Sequence, residues 1–345
     1  MTTRPDKFAP TTGPQRGRSR ALVTGGAGFI GSHLVEWLLC RGDDVVVVDD
    51  LSTGRARNLS PHDRLEIIES RASAAAARFD AEGREFDEIY HLAAAVGVQL
   101  VMDSPIEAIE TNILETIALL RYAASSPRRP TTLVASSSEV YGKGARSPFA
   151  EEDDVVYGPT TIARWSYGMS KAIDEHLALA HHRRTGLPVV VARFFNTVGP
   201  RQIGRYGMVL PRFVAAALAN EPIVVHGTGA QTRCFCDVRD VVEALPRMLA
   251  EPACRGRVFN LGSDREITIL ELARTVVATL SSRSPIHMLP YEEAFPEGFE
   301  DLPRRRPTLD RVREAIGFTP RRSLEQTIRD VAAAMHAEQP GRVRA

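Results

Sequence analysis

The sequence predicts an α/β protein built on a doubly wound parallel sheet, followed by a smaller C-terminal α/β part. Three observations predict it: a glycine-rich turn joins a strand to a helix near the start, short apolar strands then alternate with amphipathic helices, and polar residues follow several strand ends. Alternating strands and helices are typical of parallel sheets, whose two faces the helices cover. The chain has 345 residues, enough for one large domain or two modest ones.

The glycine-rich turn is the first local feature behind this prediction. A short apolar strand, Ala21–Thr24, runs into GGAGFIG at residues 25–31, and the apolar spacing that follows predicts a helix over Ser32–Cys40. In this context the first glycine allows a tight turn, the second lets the backbone approach a pyrophosphate, and the third lets helix and strand pack closely. The helix N-terminus adds amides and a positive dipole end for the phosphates. The sequence therefore predicts a Rossmann-type dinucleotide site, and the predicted contacts in the turn are Gly25, Gly28, Phe29, Ile30 and Gly31.

An acidic residue after the next strand indicates which dinucleotide binds. The strand Val45–Val48 ends at Asp49, 18 residues beyond Gly31. A carboxylate there can bind the adenosine ribose hydroxyls and repels a 2′-phosphate, which favours NAD over NADP. Arg55 and Arg57 lie just beyond and would suit NADP, but the carboxylate at the strand end outweighs them.

Further βα units extend the predicted sheet and bring polar residues to one edge. The cluster Ser136-Ser137-Ser138-Glu139 lies at the end of one such strand. Because ligands of doubly wound sheets bind at the carboxyl ends of the strands, Ser137, Glu139 and the glycine turn should face one crevice. The predicted strands are Leu65–Ile68, Glu88–Leu92, Thr132–Ser136 and Val189–Arg193, and the predicted helices are Ile106–Ala123 and one that ends at Thr185-Gly186.

Tyr167 and Lys171 are the candidate acid/base pair. Four residues apart on the helix that ends at Thr185-Gly186, they lie on one face, about one turn from each other. An ammonium beside a phenol favours the phenolate, so we expect the pKa of Tyr167 to fall from about 10 toward neutrality. Such a tyrosine can take a proton from an alcohol while a hydride leaves the same carbon. The spacing alone is weak evidence, and it gains meaning from the dinucleotide site.

Composition excludes several function classes. Lys+Arg and Asp+Glu are equal at 43 each, so no overall field attracts nucleic acid or an anionic membrane. No apolar run is long enough to span a membrane, and residues 1–19 read as a disordered leader without the apolar segment of a signal peptide. Four scattered cysteines predict neither a disulfide framework nor, despite Cys234-Phe235-Cys236, a metal site. A cytoplasmic location fits best.

With these residues in place, the chain resembles the extended short-chain dehydrogenase/reductase family that acts on nucleotide sugars. The marks are TGGAGFIGSHL, VVDDLSTGRARN, DEIYHLAA, SSSEVYG, YGMSK, RFFNTVGPRQ, VVHGTGAQTRCF, VFNLGS and a late RRRP. The resemblance implies NAD as cofactor, a UDP-sugar as partner and a homodimer formed through two helices per subunit. It also implies an NAD-binding domain over 20–200, with returning segments at about 230–262, and a mainly nucleotide-sugar-binding part over 201–335. Asp50, Leu92 and Ala93 join the cofactor site.

The serine cluster is the best indicator of the reaction. The resemblance places the proton-relay hydroxyl on Ser137, whereas Glu139 is an acid that simple 4-epimerases usually lack. The segment is most similar to that of UDP-glucuronate decarboxylases. Their chemistry implies oxidation at C4 by NAD, with Tyr167 as base, Lys171 on the nicotinamide ribose and Glu139 handling a proton near C5. The product would be a UDP-4-keto-pentose, UDP-xylose or both. A 4-epimerase of a UDP-hexose or UDP-hexuronate is the alternative, a 4,6-dehydratase a weaker one, and a non-catalytic nucleotide sensor a competitor from another class.

The C-terminal part should hold the nucleotide and its diphosphate. A helix is predicted at Leu210–Leu218 and a strand at Ile223–His226. Arginine forks match phosphate oxygens, which favours one phosphate-binding arginine in the run at residues 304–306 over a solvated loop. The histidine that ends the strand is either a base contact or a core residue. The substrate-binding residues predicted from the resemblance are Ser138, Asn196, Arg201, Val209, His226, Arg233 and Arg305.

Three departures from the family pattern concern substrate and cofactor contacts. Thr308 replaces an Asp that often follows the late RRRP, and Ser70-Arg71-Ala72 replaces an adenine-contacting Asp. The segment Val96–Val101 lacks the Pro-Pro-His-Tyr of typical xylose synthases. The last of these departures leaves the exact substrate and product open.

Overall fold

The computed structural model describes residues 18–95, 104–144, 146–204, 208–294 and 302–338. The strands are β1 (Arg20–Thr24), β2 (Asp44–Asp49), β3 (Leu65–Glu69), β4 (Glu88–His91), β5 (Thr131–Ser137), β6 (Val189–Phe194), β7 (Thr197–Val198), β8 (Ile223–His226), β9 (Thr232–Cys234), β10 (Cys236–Asp237), β11 (Arg257–Leu261), β12 (Glu266–Thr268), β13 (Ile286–Leu289) and β14 (Arg304–Arg305). Within the described ranges, seven of them form one parallel sheet in the order β3-β2-β1-β4-β5-β6-β11.

Helices cover both faces of this sheet, which confirms the predicted doubly wound architecture. In chain order they are α1 (Phe29–Arg41), α2 (Ala72–Ala81), α3 (Pro105–Ser125), α4 (Trp165–Thr185), α5 (Val209–Ala219), α6 (Val238–Ala250), α7 (Ile269–Leu280), α8 (Tyr291–Ala294), α9 (Asp310–Ile316) and α10 (Leu324–Glu338). Short 3₁₀ turns lie at Ala56–Asn58, Ser138–Tyr141 and Pro252–Cys254.

The valine run of β2 shows how the sheet acquires two cores. Val45 and Val47 belong to the core on the face of α1 and α6, whereas Val46 and Val48 belong to the core beneath α2 and α3. Successive strand side chains point to opposite faces, and both faces of a parallel sheet are covered, so an uninterrupted apolar run is what this position requires.

The first helix begins earlier than the sequence predicts. Helix α1 starts at Phe29 rather than Ser32, so Gly31 lies in its first turn. A Cβ on Gly31 would lie 2.1 Å from the carbonyl oxygen of Gly25, a contact that no side chain tolerates. The third glycine therefore lets the helix start directly against the turn. Gly42 ends the helix in the left-handed conformation, with φ of 102°.

The C-terminal part is a smaller mixed assembly with its own core. Strands β12, β9 and β14 form one small sheet, and β8 and β13 form another. Helices α5, α7 and α10 pack around a separate apolar cluster that includes Phe213, Leu272 and Ile328. Strand β11 returns to the main sheet beside β6, inside the range predicted to return. The predicted domain boundaries themselves stay a prediction.

Two sequence predictions fall largely outside the described residues: the leader, apart from its last two residues, and the segment Val96–Val101. Among the described helices, none is long and apolar enough to cross a membrane. The cytoplasmic location stays a prediction.

Candidate active site

A cavity of about 1300 Å³ lies along the carboxyl ends of the main-sheet strands and continues beneath the C-terminal part. Every residue that the sequence analysis placed in the site lines this cavity. At the cofactor end these are Gly25, Gly28, Phe29, Ile30, Gly31, Asp49, Asp50, Leu92 and Ala93, in the middle Ser137, Ser138, Glu139, Tyr167 and Lys171, and at the far end Asn196, Arg201, Val209, His226, Arg233 and Arg305. All of these residues line the cavity. The role of each one is a proposal.

The glycine turn fits a dinucleotide for steric reasons. Gly25 has φ of +71°, and a Cβ there would lie 2.7 Å from the backbone nitrogen of Ala93 at the end of β4. The Gly28 amide donates to the Gly25 carbonyl at 3.1 Å, which closes the turn just before α1 begins. The turn thus presents backbone without side chains to the cavity, as a pyrophosphate at a helix N-terminus requires.

Asp49 is fixed by the same turn. Its Oδ2 accepts from the amide of Ala27 at 2.9 Å and its Oδ1 from the amide of Leu51 at 2.9 Å. Burial raises the pKa of this carboxyl, and the two amides oppose the rise. The carboxylate is therefore aimed into the cavity at the end of β2, where a ribose would be bound.

The arginines that would suit NADP are engaged elsewhere. Arg55 and Arg57 both pair with Glu338 at the end of α10, at 3.3 and 3.0 Å. All three side chains are well exposed, so these pairs contribute little to stability. They do place an acidic group beside the two arginines that would suit NADP, which supports the choice of NAD.

A buried ion-pair network fixes α4 against the sheet. Glu175 of α4 makes a bidentate pair with Arg193 of β6, at 2.8 and 2.7 Å, and also accepts from the hydroxyl of Ser136 in β5. Both charged side chains are 7% exposed, so the pair is well shielded from solvent. Since Tyr167 lies two turns before Glu175, this network sets the position of the phenol relative to the serine cluster.

The structure brings Ser137 and Tyr167 into hydrogen-bond contact, but it overturns the expected acidity of the tyrosine. Burial, and then the nearby Glu139 carboxylate, raise the pKa of Tyr167 well above its ordinary value, while the hydrogen bond from Ser137 opposes this. The predicted fall toward neutrality is wrong for this state of the protein. The physical reason is burial of the phenol first, then the charge of Glu139 and, to a smaller extent, that of Asp174. Asp174 also pairs with Lys171, whose Nζ lies 2.8 Å from its Oδ2.

Glu139 lies in a clasp of arginines. Its Oε1 is 2.7 Å from Arg305 and its Oε2 is 3.2 Å from Arg164, and its side chain is 15% exposed. Burial alone would raise the pKa of Glu139, but Arg305, Arg164 and Arg233 outweigh it and hold the pKa below its usual range. The carboxyl is thus ionised at neutral pH, in a strongly cationic part of the cavity.

The substrate end is built from segments far apart in the chain. Strand β14 pairs in parallel with β9 so that Arg305 lies beside Arg233. The Arg233 guanidinium donates to the carbonyl of Leu302 at 2.9 Å, which ties the late RRRP segment to β9. Arg201 pairs with Glu36 of α1 while lining the cavity.

Asn196 and His226 complete this end of the cavity. Asn196 has φ of 30° and donates to the carbonyl of Cys234 at 3.2 Å, which holds its side chain across the gap between β6 and β9. Burial and the neighbouring Arg212 lower the pKa of His226, so the imidazole is neutral at neutral pH. A neutral ring suits contact with a nucleotide base better than contact with phosphate.

Sequence reasoning missed two residues that the geometry makes central. Arg164 lies three residues before Tyr167, one helical turn away, so it could have been placed near Tyr167 from the sequence. Asp174 follows Lys171 by three residues, the spacing of a helical ion pair, and it was not considered. Both signals were present in the sequence and concern charges one helical turn from a predicted site residue.

The fold and this cavity define a protein of Rossmann architecture with a dinucleotide-type glycine turn, in which Ser137, Tyr167 and Lys171 line the same cavity. The sequence model of the "NAD dependent epimerase/dehydratase family" matches residues 21–262, and the chain belongs to this family. NAD is therefore its cofactor, as the sequence predicts.

Named relatives and a solved structure agree with this assignment. The chain is 39% identical over 321 residues to a UDP-N-acetyl-alpha-D-glucosaminuronate decarboxylase of Bacillus cytotoxicus, covering 91% of this chain and 96% of that protein. It is 38% identical over 320 residues to UDP-glucuronic acid decarboxylase 2 of Arabidopsis thaliana, covering 91% and 67%. The structure of a UDP-glucose 4-epimerase from Thermus thermophilus in complex with NAD is similar with a TM-score of 0.79 at 27% identity, covering 92% and 99%.

Proposed function

We propose that this protein catalyses the NAD-dependent decarboxylation of a UDP-hexuronate, with UDP-glucuronate as the first candidate substrate. Oxidation at C4 would give a UDP-4-keto-pentose, and return of the hydride would give UDP-xylose. The observation that carries the proposal is the arginine clasp of Arg164, Arg233 and Arg305 around Glu139, next to Tyr167. A uronate carboxylate needs cationic partners near the reacting hydroxyl. Two of the relatives named above are decarboxylases of such substrates.

The residues of this chain supply the proton chemistry of the first step. NAD, when bound, accepts a hydride from C4 and can return it. Tyr167 takes the proton of the C4 hydroxyl, and Ser137, which hydrogen-bonds the phenol, stabilises the developing charge and relays the proton. Lys171 has its ammonium on the same helix face, one turn away, and would bind the nicotinamide ribose.

The substrate carboxylate leaves as carbon dioxide once C4 is a ketone. A β-keto acid loses carbon dioxide readily because the electron pair delocalises into an enolate, and a cation near the ketone oxygen stabilises that charge. Arginine forks suit the carboxylate before it leaves. After carbon dioxide leaves, C5 must gain a proton from solvent. An ionised Glu139 can orient the water that delivers this proton, but it is not itself a stored acid.

One alternative substrate and one alternative reaction are each supported by a specific observation. The relative from Bacillus cytotoxicus is named for an N-acetylated uronate, so UDP-N-acetylglucosaminuronate is the second candidate substrate. A 4-epimerase of a UDP-hexose or UDP-hexuronate needs the same Ser137, Tyr167 and Lys171 but no arginine clasp around an acid. The similarity to an epimerase structure favours this alternative at the level of the fold.

Mass spectrometry of products separates these reactions. The NAD-loaded protein would be incubated with UDP-glucuronate, UDP-N-acetylglucosaminuronate and UDP-glucose in parallel. Loss of one carbon dioxide from a uronate supports the proposal, and the uronate turned over faster identifies the substrate. An isomer of unchanged mass from any of the three substrates would show that the protein is an epimerase. Loss of water from UDP-glucose would show that it is a dehydratase.

The homodimer implied by the family resemblance is also a proposal. Helices α3 and α4 pack against each other and expose large apolar side chains, which a second copy would cover. These are Ile106 at 67%, Leu114 at 55% and Ile173 at 43% exposure. Light scattering after gel filtration should give twice the chain mass, and Leu114→Glu should give the single-chain mass. A wild-type monomer would disprove it.

A further inference from the structure

We propose that Asp174 is a positioning residue that binds the Lys171 ammonium and thereby sets the pH range in which Tyr167 exchanges its proton. The inference rests on the proposed acid/base role of Tyr167 and deepens it. In the proposed mechanism Lys171 serves Tyr167 and the cofactor, and Asp174 has no part. In the structure, however, Asp174 is the carboxylate that holds this lysine.

The geometry of the pair is that of a buried ion pair within one helical turn. Nζ of Lys171 lies 2.8 Å from Oδ2 of Asp174, and the two side chains are 3% and 0% exposed. In such a pair the buried ammonium and carboxylate offset part of each other's desolvation cost. The same contact directs the ammonium toward Asp174.

The charge of Asp174 adds to the weak acidity of Tyr167 that burial and Glu139 already cause. A lone ammonium would favour the phenolate, whereas an ammonium paired with a carboxylate has a much weaker net effect at the phenol. Asp174 is one of two carboxylates whose charge raises the pKa of Tyr167, after the larger effects of burial and Glu139. Removing the charge of Asp174 must therefore ease proton loss from Tyr167.

The other groups that face the pair come from four elements. Glu139 follows β5 and is held by its own arginines, and Ser137 at the end of β5 is uncharged. From β4, His91 is bonded on both ring nitrogens, to Thr24 at 2.8 Å and to Thr116 of α3 at 3.0 Å. Burial and the charge of Lys171 lower the pKa of His91 to about 3, so it stays neutral over any working pH. Asp174 itself is hydrogen-bonded to Thr116 of α3 and is adjacent to Glu175, but Glu139 and Asp174 are the carboxylates that raise the pKa of Tyr167.

The test replaces Asp174 by Asn and by Ala in the full NAD-loaded chain. The two variants both remove the charge but differ in shape, so a shared effect reports charge and not packing. We expect the acid limb of the pH profile of kcat to move to lower pH by about one unit in both variants. Asp43→Asn is the matched control, because Asp43 is a buried carboxylate that pairs with Arg41 at 2.6 Å, does not line the cavity and is not among the groups that shift the pKa of Tyr167. Its profile should stay in place.

A second readout needs no substrate. Tyrosinate absorbance is titrated in each protein, and the same titration of the Tyr167→Phe protein in each background is subtracted to isolate this residue. The Asp174 variants should ionise Tyr167 at lower pH than wild type. Superimposable titrations in folded Asp174→Asn or Asp174→Ala protein would overturn the inference, even if the wild type decarboxylates UDP-glucuronate. A shifted titration in a protein that turns over none of the UDP-uronates would keep the inference and remove the proposed reaction.

Discussion

The two ends of the cavity are built from different materials. At the cofactor end the shape is made by backbone: Gly25 and Gly31 leave space that a Cβ would fill, and Asp49 is held by backbone amides. At the substrate end the shape is made by charged side chains, with Glu139 between Arg164 and Arg305. Tyr167 lies between the two regions.

This difference predicts two kinds of failure. A backbone cradle fails by steric overlap, so one added methyl group removes it at any pH. A cluster of charges adapts more readily, because the remaining arginines still face the carboxylate when one is changed, and its properties depend on pH and salt. Substitutions at the two ends should therefore differ in the size of the loss and in which kinetic constant they change.

Gly31→Ala should have the largest effect and tests the backbone end. The new Cβ would lie 2.1 Å from the backbone oxygen of Gly25, which cannot move without opening the turn. We expect loss of NAD binding by calorimetry, and with it loss of activity. Gly42→Ala is the control: it also has positive φ, at +102°, but no atom lies within 4 Å of its added Cβ. It should cost about 1 kcal/mol in thermal unfolding and leave NAD affinity unchanged. Normal NAD binding by Gly31→Ala would break the comparison.

Tyr167→Phe tests the junction between the two ends. The change removes the proton acceptor but keeps the ring, so kcat should fall by about 10²–10⁴ while NAD affinity stays within a factor of about three. The measurement is kcat from product mass together with NAD affinity of the same preparation. Retention of full activity would show that a residue other than Tyr167 is the base.

Arg305→Lys tests the charged end. Lysine keeps the charge but loses the planar fork, so kcat/KM for the uronate should fall by about 10- to 100-fold, with NAD binding unchanged. Arg304→Lys is the matched control on the same strand, since Arg304 is exposed and pairs with Glu266 outside the cavity. Equal effects of the two changes on kcat/KM would show that the Arg305 fork does not bind the substrate carboxylate.

The cofactor end of the cavity could be predicted from the sequence more fully than the substrate end. The glycine turn, Asp49 and the strand ends were predictable because their rules act over a few residues and depend on backbone geometry. The pairing of Glu139 with Arg305 spans a separation that no local pattern reveals; it depends on β14 docking beside β9. The acidity of Tyr167 was predicted with the wrong sign because burial and Asp174 were left out, and burial is a property of the folded chain.

Glu338→Ala should have the smallest effect and sharpens the account of the cofactor end. Glu338 pairs with Arg55 and Arg57, and its removal would leave both arginines without this carboxylate. If Asp49 and the backbone decide the cofactor, NADP affinity should rise by less than about tenfold, and NAD should stay preferred. Both dissociation constants would be measured on wild type, on Glu338→Ala and on Glu325→Ala, which changes an exposed acid at the other end of the same helix. Because the arginines are exposed, added salt should reduce any gain. A switch of preference to NADP would mean that side-chain charge, and not the carboxylate fixed by the glycine turn, selects the cofactor.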